Sequence, residues 1–204
     1  MFYKPSEPHG LKHGPFKAIV APRPIGWISS LTTDGSVNLA PFSFFNAMSE
    51  NPPIVAMGIN GSHTEGGAKD SLDNIEATKE FVCNMVSYSL HEKMNLSSAM
   101  LPRSIDEFDY AGLTKEPSTL VKPPRVKESL AHLECVLHKT IALPSHNPKV
   151  VNTMVLGEVV GIHISDEIIV DGMIDMKKYQ PLARLGYMDY CHVEDVFSMN
   201  RPVV

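Results

Sequence analysis

The chain has 204 residues, 43% of them hydrophobic and 20% charged, enough for one substantial core and short for two. Its 18 Lys and Arg against 23 Asp and Glu give a formal charge of −5, which excludes the strongly basic footprint of a nucleic-acid binder. The longest nearly apolar stretch, Pro52 to Ile59, falls well short of the roughly 20 residues of a membrane helix, and the opening Met1-Phe2-Tyr3-Lys4-Pro5 carries no secretion signal. A cytoplasmic protein is expected, with no membrane and no nucleic-acid partner.

Residues 1–17 hold three prolines and two glycines without a period and are expected to form an arm of a single domain covering 1–204. Ile25 to Thr33 and Ser36 to Ala40 are β-rich runs around Asp34-Gly35, a sequence that predicts a two-residue hairpin. Ser43 to Met48 and Ile54 to Ile59 predict two more strands, parted by Asn51-Pro52-Pro53, where the prolines withhold ladder donors. Asn60 to Lys69 reads as a loop, and Ser71 to Lys79 as a helix capped by Asp70 or Ser71. A strand over Phe81 to Val86 and a helix over Ser89 to Met100, with Leu90 and Met94 inward, end at Pro102.

Arg103 to Pro124 mixes a helical piece with Pro-rich loop. Two long strands, Leu130 to Leu143 and Val151 to Ser165, follow across Pro144 to Pro148. A short strand over Ile168 to Val170 and a helical turn over Asp175 to Tyr179 complete the pattern. Many antiparallel strands and few short helices predict a mainly β protein, a barrel with helical insertions, and not a doubly wound parallel sheet.

Cys83, Cys135 and Cys191 are odd in number and widely spaced, so neither a disulfide framework nor a zinc site is expected, and buried thiols are. His9 and His13 stand among Gly10, Gly14 and Pro15, which oppose a helix that would align them on a metal. Phosphate-loop, Rossmann, nucleophile-elbow and His-Glu-x-x-His motifs are absent.

Two stretches carry chemistry. Asn60 to Ser71 offers Ser62, Thr64, three glycines and Lys69 just before a predicted helix, a composition that suits an anion and equally an ordinary solvated loop. In Val155 to His163, a period of two puts Gly157, Gly161 and His163 on one face, open either to a planar ligand or to a barrel bend with a surface histidine. The same alternation puts Ser29 beside Trp27 and opposite Ser30.

The run Ala21-Pro22-Arg23-Pro24-Ile25-Gly26-Trp27-Ile28-Ser29-Ser30, with Asn38-Leu39-Ala40-Pro41-Phe42-Ser43-Phe44-Phe45-Asn46, resembles the flavin reductase-like, FMN-binding split-barrel family. It is most similar to the branch of flavoredoxin and the nitrilotriacetate monooxygenase flavin reductase component. Lys69-Asp70-Ser71, Gly157-Glu158-Val159 with Ile162-His163, and Pro181-Leu182 with Arg184-Leu185-Gly186 extend the likeness. The resemblance implies a six-stranded antiparallel split barrel of Greek-key type that dimerises and binds FMN.

By position, Ser29, Ser30 and Asn46-Ala47-Met48 would line the flavin ring, and Ser62, Thr64, Lys69 and Ser71 its phosphate. Arg184 and Tyr190 would close the site, and His163 would be the catalytic residue beside a nicotinamide. Tyr187 stands where many relatives carry a second glycine. The implied activity is hydride transfer from NADH or NADPH to flavin, with a monooxygenase or redox protein as a possible partner. A flavoredoxin-like electron carrier and a flavin-free binding module are the alternatives.

Overall fold

A computed structural model describes residues 1–203. Seven strands form one antiparallel sheet: β1 (Gly26–Leu31), β2 (Val37–Phe42), β3 (Phe45–Glu50), β4 (Pro53–Asn60), β5 (Glu80–Met85), β6 (Ala131–Ala142) and β7 (Asn152–Ile164). Their order across the sheet is β2-β1-β5-β6-β7-β4-β3. Only Ser43 and Phe44 separate β2 from β3, so the two outermost strands of the sheet are halves of one bent segment. The first half pairs with β1 and the second with β4, which brings the sheet round on itself. Counted as one, β2 and β3 make this the expected six-stranded split barrel.

The interior is filled from every strand: Ile28, Phe42, Phe45, Met57, Phe81, Cys135 and Val155 meet there, and Leu72 and Ile75 of the helix α1 (Asp70–Thr78) join them. α1 therefore packs against the barrel core and carries its own N-terminus to a fixed place beside β2. A second core lies on the other face of β1 and β2, where Trp27 and Leu39 pack with Met94, Phe108 and Val126. Burial on both faces explains why β1 reads as a continuous β-rich run: five of its six residues are buried. Ser97 Oγ accepts the Trp27 indole N–H at 2.8 Å, which satisfies the buried donor.

Most sequence-predicted elements are present, with physical corrections. The first hairpin is real, but its loop is longer than Asp34-Gly35. Thr32 N–H donates to the Ser36 carbonyl at 2.9 Å, leaving Thr33, Asp34 and left-handed Gly35 (φ 93°) as a three-residue turn. The N-cap of α1 is Lys69, and Asp70 is the first helical residue. Asp70 is not free to cap because its carboxylate pairs with Arg103. The expected helix over Ser89 to Met100 is a 3₁₀ turn (Tyr88–Leu90) and one short α-helix (His91–Leu96). Cys83 and Cys135 are buried as expected, whereas Cys191 is half-buried. Among the described residues no helix is long and apolar enough to cross a membrane.

Candidate functional site

The start of α1 opens on a cleft of about 150 Å³. One wall is the loop carrying Ser62, Thr64, Lys69 and Ser71, the floor includes Asn38, Ala40 and Phe42, and the opposite wall is Ser97 to Leu101 with Glu107. The loop is shaped by Gly66 and Gly67, with φ of 93° and 80°, angles that a side chain would resist. Ser62 Oγ donates to the Lys149 carbonyl at 2.9 Å, tying the loop to the connection before β7. Ser71 is buried and its hydroxyl accepts from Asn38 Nδ2 at 2.9 Å.

Lys69 is the electrostatic feature of this cleft. Its ammonium lies 5.9 Å from the centre of the Phe42 ring, and among the described residues no carboxylate stands within 4.0 Å of it. Burial pushes its pKa below the ordinary lysine value. A half-buried cation with no carboxylate in salt-bridge range, at a cavity beside a helix N-terminus, has the chemistry that suits an anion. Glu107 across the cleft accepts the Leu39 N–H at 3.0 Å, and burial raises its pKa above the usual glutamate value.

Beyond Pro41 and Ser98 the cleft continues as a groove. A space of about 180 Å³ lined by Ser43, Arg184 and Tyr190 leads to a larger one of about 350 Å³ among Tyr88, His91, Met188 and His192. Its walls are aromatic. Tyr88 is stacked between His91 and His192 at 4.8 and 4.1 Å, and the Arg184 guanidinium lies 4.2 Å from the Tyr190 ring centre. Arg184 Nη2 also donates to the Tyr187 carbonyl at 2.6 Å. Tyr187 has φ 58°, the left-handed backbone that glycine adopts freely. The turn is thus kept here with a tyrosine in place. Gly186 before it must stay small, since a Cβ would lie 2.6 Å from the Ala18 Cα.

The structure brings Ser62, Thr64, Lys69 and Ser71 together at the cleft and Arg184 and Tyr190 together on the groove. Asn46, Ala47 and Met48 are exposed on β3 and continue the ridge that begins at Ser43, outside these cavities. β3 pairs only with β4, so one side of its backbone is open to a ligand or a second chain.

Ser29 and Ser30 point to opposite faces as alternation demands, and both are fully buried. Ser29 Oγ donates to the Pro124 carbonyl at 2.5 Å, while Ser30 Oγ accepts from Asn74 Nδ2 at 3.1 Å. They have no surface to offer a ligand within this chain: Ser30 braces α1 and β2 through Asn74 and Asn38, and Ser29 ties β1 to the Pro124 segment on the other face.

His163 is placed differently from the expectation. The anion loop lies at the Asn152 end of β7, where Gly61 N–H bonds the Val151 carbonyl, and His163 is near the far end of this 13-residue strand. Within one chain it does not reach the cleft. Its Nε2 lies 2.5 Å from Glu134 Oε1, a fully buried carboxylate that also accepts the N–H groups of Thr119, Leu120 and Val121 at 2.7, 2.6 and 3.1 Å. Burial alone would raise the Glu134 pKa; these donors outweigh it and hold the carboxyl below its usual range. The glycines on this strand are likewise occupied from within. A Cβ on Gly157 would meet Phe81 Cζ at 2.2 Å and one on Gly161 would meet Leu120 Cδ1 at 3.3 Å, and β7 is bulged near both. The rings and methyls they admit belong to this chain.

Arg103, Glu107 and the Ser97 to Leu101 wall were missed by sequence reading. Arg103 and Glu107 come from a Pro-bounded stretch without periodicity and the Ser97 to Leu101 wall from the end of the expected helix; all meet the loop only through tertiary packing, so no local signal marks them as site residues.

The site is thus a split antiparallel barrel with a lysine-bearing cleft at a helix start and a partly aromatic groove beside it. The chain belongs to the flavin reductase-like family: residues 20–183 match the flavin reductase like domain. It is 40% identical over 169 residues to an uncharacterized protein of Aquifex aeolicus, covering 82% of this chain and 83% of that one. Nitrilotriacetate monooxygenase component B of Bacillus cereus superimposes with a TM-score of 0.87 at 27% identity, over 98% of both chains. The 2-nitrobenzoate 2-nitroreductase of Pseudomonas fluorescens gives 0.78 at 31% identity, over 92% of this chain and 88% of the other.

Proposed function

We propose that this chain binds FMN and acts as an NAD(P)H:flavin reductase. The observation that carries the reading is Lys69, a half-buried ammonium with no ion-pair partner among the described residues, at the head of a groove whose far end is aromatic. The residues fit the cofactor: Lys69, Thr64 and the first amides of α1 suit a phosphate, and Arg184, Tyr190 and the open edge of β3 at Asn46 to Met48 suit a planar heterocycle with polar edges. A bound flavin would supply the redox chemistry, as the acceptor of hydride from a nicotinamide.

This chain's own residues bind and orient. Lys69 neutralises the phosphate, and Ser62 holds the loop through Lys149. Arg184 fixes the C-terminal wall by donating to Tyr187, so that the aromatic end keeps its shape. No side chain on the groove is required to transfer a proton in the hydride step. Exposed Met48 on β3 and Ile162 and Ile164 on β7, at 56%, 60% and 40%, leave apolar side chains that a second chain would cover, and this supports a homodimer. The likeness to a monooxygenase component supports a partner oxygenase as the consumer of reduced flavin.

The test is anaerobic titration of the FMN-loaded protein with NADH and then NADPH, following loss of the flavin's visible absorbance. Bleaching by either supports the reductase. Bleaching by dithionite but by neither nicotinamide assigns the chain to the electron carriers, and failure to retain FMN at all overturns the reading.

A further inference from the structure

Asp70 lines the anion cleft beside Lys69, and Glu65 and Asp73 flank it in sequence. A bare carboxylate there would oppose the binding of any phosphate. Arg103, which follows the Ser97 to Leu101 wall, answers it from across the cleft. Its Nη1 donates to the Asp70 carboxylate, and its Nη2 donates to the Gly66 and Ala68 carbonyls at 3.0 and 3.1 Å. Glu65 and Asp73 stand 3.9 and 3.7 Å from the same guanidinium. His63 adds a weaker contact, with Nε2 3.6 Å from Asp70.

One planar fork therefore engages a carboxylate and two backbone carbonyls of the loop whose other side presents Lys69. A single ammonium cannot replace that geometry. The left-handed Gly66 and Gly67 lie within the span that the fork grips.

We infer that Arg103 is a positioning residue of the anion site: it neutralises Asp70 and holds the Gly66 to Ala68 turn so that Lys69 and the α1 amides face the cleft. The inference rests on the reading that this cleft takes the FMN phosphate. It deepens that reading by assigning selectivity for a phosphorylated flavin to a residue that does not itself touch the phosphate.

The experiment measures the dissociation constants of FMN and riboflavin, by quenching of flavin fluorescence, for the unaltered chain, Arg103→Ala, Arg103→Lys and the double variant Arg103→Ala with Asp70→Asn. Arg103→Ala is expected to weaken FMN by about tenfold or more, the scale of a lost charge-assisted contact, and to leave riboflavin unchanged. Removing the bare carboxylate in the double variant restores part of that loss, and Arg103→Lys, which keeps the charge without the fork, falls between. A mere stability role would weaken both flavins together and would not be rescued by Asp70→Asn.

Unchanged FMN affinity in Arg103→Ala overturns the inference. Loss of FMN affinity with no rescue by Asp70→Asn overturns it too, because Arg103 would then be meeting the phosphate directly. Should Arg103→Ala fail to fold, Arg103→Lys decides: full retention of FMN selectivity overturns the fork, and partial loss sustains it. Equal binding of FMN and riboflavin by the unaltered chain overturns the phosphate assignment and the inference with it.

Discussion

Replacing Lys69 with methionine separates the charge of this residue from its bulk. Methionine retains an apolar stem near the Phe42 ring but removes the half-buried ammonium. Because burial lowers the Lys69 pKa in the folded chain, the unliganded protein carries a desolvation penalty at neutral pH. A depressed lysine pKa gives its stabilisation only above the unfolded value, about 10.4, and loses it as pH falls through the folded one. Lys69→Met should therefore leave the unliganded protein as stable as before, or slightly more so.

The ligand side has the opposite sign. Loss of one charge-assisted hydrogen bond to phosphate costs about 1.5–3 kcal/mol, roughly a 10- to 150-fold rise in Kd for FMN. Riboflavin, which lacks only the phosphate, should bind as before. The original chain should also lose FMN affinity as pH rises through the lowered Lys69 pKa, and the variant should show no such step. Fluorescence titrations with both flavins, at low salt and across alkaline pH, combined with thermal melts, measure all three effects. Equal weakening of FMN and riboflavin, or a marked drop in melting temperature, would refute the argument.

Three further outcomes follow from the packing. Gly157→Ala would drive a Cβ to 2.2 Å from Phe81 Cζ in a fully buried site, and urea unfolding should show a loss of about 1–3 kcal/mol; an unchanged midpoint would mean the ring shifts freely. His163→Ala removes a donor from the buried Glu134 carboxylate and should destabilise by about 1–3 kcal/mol while nicotinamide-driven reduction of bound flavin keeps its rate. A slowed rate at intact stability would return His163 to the active site. His132 is buried, which lowers its pKa to about 4, and its Nδ1 has no partner among the described residues. Its stabilisation is complete above its unfolded pKa of about 6.5 and declines by up to about 1.4 kcal/mol per unit as pH falls toward the folded value. Unfolding free energies at pH 7 and 5 should show that decline in the original chain and less of it in His132→Gln, and identical slopes would count against it.

Local pattern carried much of this molecule. Alternation and turn chemistry marked the barrel strands, the hairpin at Asp34-Gly35 and the helix after Lys69, because period and backbone preference are properties of neighbouring residues. The loop from Ser62 to Ser71 was legible for the same reason: its glycines, hydroxyls and lysine lie in one short run that ends at a helix start. The parity of Ser29 and Ser30 was also legible. Their burial was not, since it depends on Pro124 and Asn74 from distant parts of the chain. Gly157 and Gly161 read equally as room for a ligand or as a bend, and only the arrival of Phe81 and Leu120 decided between them.

His163 shared a strand with those glycines, yet its partner is Glu134 on the neighbouring strand, in a register no single segment specifies. Arg103 shows the limit most plainly. Nothing around it in sequence distinguishes it from a surface arginine, and its role exists because folding carries it to Asp70, Gly66 and Ala68. A sequence states which groups each short stretch can present; which of them meet, and which are spent on one another before any ligand arrives, is set by long-range packing that closes the barrel and brings its two walls together.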